Sequence, residues 1–245
     1  TTTTTTTTTT GGDAHPLLFK FTAFAPLVYH LLRSNDSVST DSFVRSFDVE
    51  HFFDDPSRFK FSEGRSGSFF AFTPDRRYIV KTVAASEARA LASMLPSYAS
   101  HVSRHPASLL GRFYASCSVT FPGFSGVLHV VCFANVLHGV DKIDERYDLK
   151  GSWVHRHSAE HEQNRRKLGL DMDYDRPLLL PPAARRRLLR QCELDARFLA
   201  DNGIMDYSLL VGFSFTQDDD EQQYRAASPS PPPTTTTTTA AINAS

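Results

Sequence analysis

Ser68-Phe69-Phe70-Ala71-Phe72-Thr73-Pro74-Asp75-Arg76-Arg77-Tyr78-Ile79-Val80-Lys81-Thr82-Val83 is the stretch whose reading decides the fold. Two runs of aromatic and β-branched residues flank Thr73 to Arg77. Pro followed by Asp between such runs predicts a hairpin. Downstream, Arg112 to Val119 and Val127 to Phe133 predict a second strand pair around Pro122-Gly123. Helical spacing appears in three places. Leu27, Val28, Leu31 and Leu32 follow Pro26 and give a short helix ending near Arg33-Ser34. Ser86, with Glu87 in the first turn, opens a second that Pro96 is expected to interrupt. After Pro181-Pro182, the residues Leu188, Leu189, Cys192, Ala196 and Leu199 line one face of a third, which stops at Asn202-Gly203. An antiparallel sheet with helices packed on it is an α+β fold.

The folded unit is bounded by composition. Thr1 to Thr10 is a homopolymer, and Gln217 to Ser245 passes from an acidic run into Pro- and Thr-rich sequence. Residues 1–16 and 217–245 are therefore expected to be disordered, with one domain over residues 17–216. The chain has 245 residues, 26 Lys+Arg against 27 Asp+Glu, and 40% hydrophobic residues. That balance argues against a nucleic-acid partner. The longest apolar stretch, Val127 to Leu137, falls short of the roughly 20 residues a spanning helix needs, so no transmembrane segment is expected. Cys117, Cys132 and Cys192 lack metal-ligand spacing and read as buried free thiols of a reducing, cytoplasmic compartment.

The first chemical signal is Glu63-Gly64-Arg65-Ser66-Gly67-Ser68, which enters one strand of the hairpin while Lys81 sits in the other. Glycines let backbone amides approach phosphate, and a strand-borne ammonium can neutralise phosphate oxygens. A glycine turn beside a solvated lysine reads the same residues without any ligand.

Five blocks in order make the signal specific: Ser66-Gly67-Ser68-Phe69-Phe70, Ile79-Val80-Lys81-Thr82, Met94-Leu95-Pro96-Ser97-Tyr98, Arg146-Tyr147-Asp148-Leu149-Lys150-Gly151-Ser152 and Ile204-Met205-Asp206-Tyr207-Ser208-Leu209-Leu210. Together they resemble the phosphatidylinositol phosphate kinases. The resemblance implies a kinase-like lipid-kinase fold, with the N-terminal lobe and the start of the C-terminal lobe. It also implies transfer of the γ-phosphoryl of ATP, with Mg2+, to an inositol-ring hydroxyl of a phosphatidylinositol monophosphate at the cytosolic face of a membrane. By the same resemblance, Gly67 and Ser68 belong to the loop covering the phosphates and Lys81 is the nucleotide-phosphate lysine. Phe133 to Leu137, with Asn135, Val136 and Leu137, forms the hinge for adenine. Asp148 and Lys150 lie near the phosphates, and Asp206 is the catalytic aspartate. Leu137 departs from the aromatic usual at the end of the hinge. The family's metal-binding aspartate, on a strand after a variable insert, is expected beyond Ser245.

Structural alternatives accompany these roles. Asp206 could cap the turn after the third helix. Asp148 and Lys150 could form a surface ion pair. Glu87 could pair with Lys81 or merely serve its helix. Asp195, on the face of Cys192 and Leu199, reads as a hydrogen-bonded structural carboxylate. Arg185-Arg186-Arg187 with Arg190 reads as a solvated helix face. The competing function is a non-catalytic relic that binds nucleotide or a partner.

Overall fold

The hairpin forms where the sequence places it, with β4 at Phe69–Phe72 and β5 at Tyr78–Val83. In this computed structural model the described residues are 2–8, 17–48, 50–61, 68–120, 123, 125–140, 142–215 and 237–243. Thr73 closes the turn: its amide donates to the Tyr78 carbonyl (3.0 Å) and its hydroxyl oxygen accepts from the Tyr78 amide (3.1 Å). Asp75 accepts from the Thr73 hydroxyl (2.7 Å) and the Arg77 amide (3.1 Å). A Pro-Asp turn between strand-forming runs thus closes through its own side chains.

The chain divides into two compact units, Thr1–Pro106 with Arg112–Asn135, and Ala107–Gly111 with Val136–Ser245. The first is built on a seven-stranded sheet. Its other strands are β1 (Thr2–Thr8), β2 (Leu17–Ala23), β3 (Phe59–Phe61), β6 (Phe113–Thr120) and β7 (Leu128–Ala134). They run in the order β1-β2-β6-β7-β5-β4-β3, and every pairing is antiparallel. On one face Tyr78, Tyr114 and Cys132 are buried beneath Phe43, Phe47 and Val80. Phe43 belongs to α2 (Thr40–Arg45), which follows α1 (Pro26–Asn35). Between Thr40 and Lys60, where the sequence pattern was mixed, the structure has α2, a single 3-10 turn and β3.

Helix α3 runs unbroken over Ala85–Arg104, through Pro96. A proline inside a helix costs about 3 kcal/mol. The burial of Leu95 just before it and of Tyr98 and Val102 beyond it, at roughly 1.5–3 kcal/mol for each large apolar side chain, offsets that cost. Local propensity therefore yields to packing, and the interruption expected at Pro96 does not occur.

The second unit holds a four-stranded sheet of order β11-β10-β8-β9: β8 (Glu145–Leu149), β9 (Leu168–Gly169), β10 (Ser208–Ser214) and β11 (Thr237–Asn243). Only β8 and β9 are parallel among these pairings. Tyr147, Val211 and Phe213 form its buried centre, with Leu149, Tyr174, Leu178 and Leu209 packed around them. A short helix, α4 (Ala159–Gln163), and the long α5 (Pro182–Asp201) complete it. The buried positions of α5 are Asp195, Phe198 and Leu199, with Leu188, Cys192 and Ala196 of the expected face half-buried and Leu189 exposed. The molecule is α+β, as expected. It departs from the expectation at its Thr-rich ends, where Thr2–Thr8 and Thr237–Asn243 are strands inside segments read as disordered. Threonine is β-branched and suits extended backbone. Strand β11 lies beside β10 and carries no aspartate, so it is not the aspartate-bearing strand expected after a variable insert. Among the described residues no helix is long and apolar enough to cross a membrane.

Candidate active site

In the first unit the phosphate-loop residue Gly67 lies outside the described residues. Ser68 is buried at the entry to β4. Lys81 is central in β5, opposite Phe70 of β4 and Val131 of β7. Because side chains alternate along a strand, Lys81 and Ile79 point away from the Tyr78 and Val80 face. Thr82 stiffens the point where the loop joins the sheet: its hydroxyl oxygen accepts from the Phe69 amide (2.9 Å) and its hydroxyl donates to the Phe69 carbonyl (3.3 Å). Glu87 does not pair with Lys81. Its carboxylate reaches back to the Ala84 amide (2.6 Å) and serves the start of α3, the second of the two readings.

The hinge stretch spans the boundary of the units, with Asn135 in the first and Val136 and Leu137 in the second. Asn135 is fastened to the β4–β5 turn, its amide to the Arg77 carbonyl and its side chain to the Arg76 carbonyl, both at 2.8 Å. Leu137 lies over β10 so closely that a Cβ on Gly212 would stand 2.9 Å from its Cδ2. Glycine at 212 is what admits Leu137 there.

In the second unit Asp148 and Lys150 are not paired with each other. Asp148 sits on β8 opposite Leu210. Its Oδ2 accepts from the buried Ser208 hydroxyl (2.6 Å) and its Oδ1 from Arg156 Nη2 (2.6 Å), which also donates to the Asp148 carbonyl. Arg156 Nε donates to Asp171 (2.7 Å). Asp171 in turn accepts from the amides of Lys150 (2.9 Å), Gly151 (2.7 Å) and Ser152 (3.3 Å). One carboxylate thus shapes the Lys-Gly-Ser turn, in which Gly151 takes φ +70°. Burial pushes the Asp171 carboxyl upward, but the Arg156 hydrogen bond and the three amides outweigh it and hold it below the usual carboxylate range. The Lys150 ammonium is left without an ion-pair partner among the described residues.

Asp206 is exposed and has φ +58°, the left-handed region. The end of α5 is closed by Gly203 (φ +69°), whose amide donates to the Ala200 carbonyl (3.0 Å), and by the Ile204 amide, which donates to the Leu199 carbonyl (2.9 Å). The helix stops on a Schellman turn, and Asp206 comes after it, two residues before Ser208, the hydroxyl bonded to Asp148. A non-glycine residue held left-handed costs of order 1–3 kcal/mol, and such positions cluster at functional sites.

Reading the sequence assigned no role to Arg156, Asp171 or Ser208. Arg156 and Asp171 lie outside the five blocks and Ser208 within the last, and only the fold gathers them around Asp148 and Arg156. It did find Asp195, which is fully buried and accepts from the Ser108 hydroxyl (2.8 Å), the Leu109 amide (2.7 Å) and Gln191 (2.9 Å), a structural carboxylate as read. Of the three unpaired cysteines only Cys132 is fully buried. Burial pushes its thiol up, and that of Cys117 to about 11, so neither is poised as a nucleophile.

The sequence profile of the family described as phosphatidylinositol-4-phosphate 5-kinase matches residues 52–244. Phosphatidylinositol 4-phosphate 5-kinase 1 of Arabidopsis thaliana is 35% identical over 202 residues, 82% of this chain and 26% of that protein. Phosphatidylinositol 4-phosphate 5-kinase 10 of the same plant is 30% identical over 195 residues, 79% of this chain and 44% of that protein. The phosphatidylinositol 4-phosphate 5-kinase of Plasmodium falciparum (isolate 3D7) is 29% identical over 218 residues, 83% of this chain and 13% of that protein. The chain spans less than half the length of the curated relatives it matches.

Proposed function

Because the chain belongs to the phosphatidylinositol phosphate kinase family, we propose that it carries residues for ATP-dependent phosphorylation of a phosphatidylinositol monophosphate. The oxygen of an inositol-ring hydroxyl bonds to the γ-phosphorus, the bond from that phosphorus to the β,γ-bridging oxygen breaks, and ADP leaves. The hydroxyl proton passes to the carboxylate of Asp206. Phosphoryl transfer asks little covalent chemistry of a protein and much positioning and charge neutralisation. Lys81 and Lys150 supply the charge. Gly67 and Ser68 cover the phosphates, Asp148 fixes the platform beside them, and Asn135, Val136 and Leu137 hold the adenine. The first unit is then the N-terminal lobe of a lipid kinase and the second the start of the C-terminal lobe. The lipid is met at the cytosolic face of a membrane.

Mg2+ is normally bound by one or two carboxylates together with nucleotide phosphates and water. Among the described residues no three His, Cys, Asp or Glu side chains converge on a cation position. Both Asp148 oxygens are already engaged. The described residues do not make a Mg2+ cage of their own, and no step here is routed through the ion.

The observation that carries the reading is the placement of Asp206: exposed, left-handed, past the turn that ends α5, and two residues before Ser208, whose hydroxyl donates to Asp148. Asp206→Asn keeps the shape and the tolerance for left-handed backbone while removing the base. In the full-length protein it should preserve the fold and ATP affinity and lower kcat on phosphatidylinositol phosphate vesicles about 100-fold or more. Normal turnover per folded molecule would withdraw the assignment.

A further inference from the structure

Strand β8 pairs with β10 only as far as Leu149, so the backbone that follows must find its partners elsewhere. The amides of Lys150, Gly151 and Ser152 all donate to Oδ1 of Asp171, at 2.9, 2.7 and 3.3 Å. The parallel register of β8 and β9 brings that carboxylate there from 21 residues away. Tyr147 lies opposite Gly169, so two residues further on Asp171 comes level with Leu149, where the turn begins. Asp171 is fixed in its turn. Its Oδ2 accepts from Arg156 Nε (2.7 Å), and Arg156 is anchored on Asp148. The Met172 amide donates to the Arg156 carbonyl (2.8 Å), and Asp173 accepts from the amides of Leu170 (2.8 Å) and Ser158 (3.0 Å).

Both oxygens of Asp171 are thus engaged by the protein, and its side chain is only 14% exposed, so it does not meet a nucleotide itself. What it controls is the root of the Lys150 side chain. The Lys150 ammonium has no ion-pair partner among the described residues, so where it reaches is set by where the backbone holds its stem. Gly151, at φ +70°, lets the chain fold back so that three successive amides meet one oxygen. We propose that Asp171 is a positioning residue of the phosphoryl transfer, holding the Lys150 turn so that the ammonium meets the nucleotide phosphates. The inference rests on the lipid-kinase reading, in which Lys150 supplies charge to those phosphates, and adds to it the group that directs that charge. A displacement of about 1 Å in such a group can cost about 100-fold in rate.

A double-mutant cycle with Lys150 tests this in the full-length protein, with ATP and a monodisperse short-chain phosphatidylinositol 4-phosphate or 5-phosphate. Lys150→Met should lower kcat/KM for ATP about 100-fold and Asp171→Ala about 30-fold, with KM for the lipid unchanged in both. Because Asp171 acts through Lys150, the double variant should fall within about threefold of Lys150→Met, well short of the product of two independent losses. A merely structural Asp171 would lower activity by the same factor in both backgrounds, so losses that multiply would overturn the proposal. The turn is also read without turnover. Trp153, the next residue after Ser152, is the sole tryptophan of the chain, and its fluorescence anisotropy should fall in Asp171→Ala as the turn slackens. Anisotropy equal to that of the parent would show that the turn holds without the carboxylate, and would equally overturn the proposal. Should Asp171→Ala fail to fold, Asp171→Asn takes its place in the cycle at smaller amplitude, since it keeps an acceptor oxygen but loses the charge that binds Arg156. Parent-like turnover in Lys150→Met would remove Lys150 from the site and sink the proposal, leaving the rest of the kinase reading standing. No turnover by the parent on either lipid would sink the kinase reading itself, and the proposal with it.

Discussion

At the scale of single residues, Lys81 and Gly169 are opposite kinds of position. Lys81 has no ion-pair partner among the described residues, and its cross-strand neighbours Phe70 and Val131 would tolerate an apolar side chain of similar length. Lys81→Met should therefore leave thermal stability close to the parent while lipid phosphorylation by the full-length protein falls about 100-fold or more, because a phosphate-directed charge is lost. Parent-like turnover would remove Lys81 from the site. Gly169 touches no ligand in this reading and yet allows no substitution. A Cβ there would stand 2.6 Å from Cδ1 of Tyr147, a ring with 0% exposure, and 3.1 Å from the ring of the buried His161. Neither ring is free to swing away. The Tyr147 hydroxyl donates to Glu145 (2.8 Å), and His161 Nδ1 pairs with the Lys167 carbonyl (2.8 Å). Gly169→Ala should destabilise the second unit by about 1–3 kcal/mol, read as a lower urea midpoint at unchanged m-value.

At the scale of elements, what could be read from the sequence was whatever local chemistry decides. The β4–β5 hairpin was legible because Thr73-Pro74-Asp75 closes its own turn, and the end of α5 because Asn202-Gly203 is a helix stop in any context. Pro96 misled because the burial of Leu95, Tyr98 and Val102 is a tertiary fact that propensity does not contain. The candidate site divides the same way. Lys81, Asp148 and Asp206 were legible only through the order of the sequence blocks, and Asp171 was illegible because its partners Lys150, Gly151, Ser152 and Arg156 are named by the fold. Asp195 is the exception, since a carboxylate on the apolar face of a helix announces a buried partner. It joins α5 to Ser108 and Leu109, a segment far away in sequence that belongs to the same unit. Asp195→Ala would leave the Leu109 amide and the Ser108 hydroxyl buried without their acceptor. The expected loss is about 3 kcal/mol or more by urea denaturation, since each buried group left without its partner costs about 1–3 kcal/mol. A loss under about 1 kcal/mol would mean that water replaces the carboxylate and that α5 is held by its apolar face alone.

Over the whole molecule, the carboxylates that organise the turns set how stability responds to acid. Burial pushes Asp75, Asp171 and Asp173 upward, but their hydrogen bonds prevail and leave all three below the ordinary range. A carboxylate whose folded value is depressed contributes stability that is present above the unfolded value of about 3.9 and lost as pH falls through the folded value. His51 works in the opposite sense. The hydrogen bond to Asp48 raises it, so its contribution is present below about 6.5 and lost as pH rises through the raised value. That pair is solvent-exposed, however, and salt should screen it out, whereas the Asp171 cluster is screened far less. In salt of about 0.5 M the stability of the chain should therefore be level between about pH 5 and 7 and fall below about pH 4. Because the chain has two units, the transition should be followed by a probe that sees one of them, and Trp153 emission reports the turn that Asp171 holds. Asp171→Asn, which keeps an acceptor oxygen but cannot titrate, should lower the plateau and make the acid limb shallower. An acid limb as steep in Asp171→Asn as in the parent would show that other carboxylates govern the acid response, and that the turn around Lys150 does not depend on the charge of Asp171.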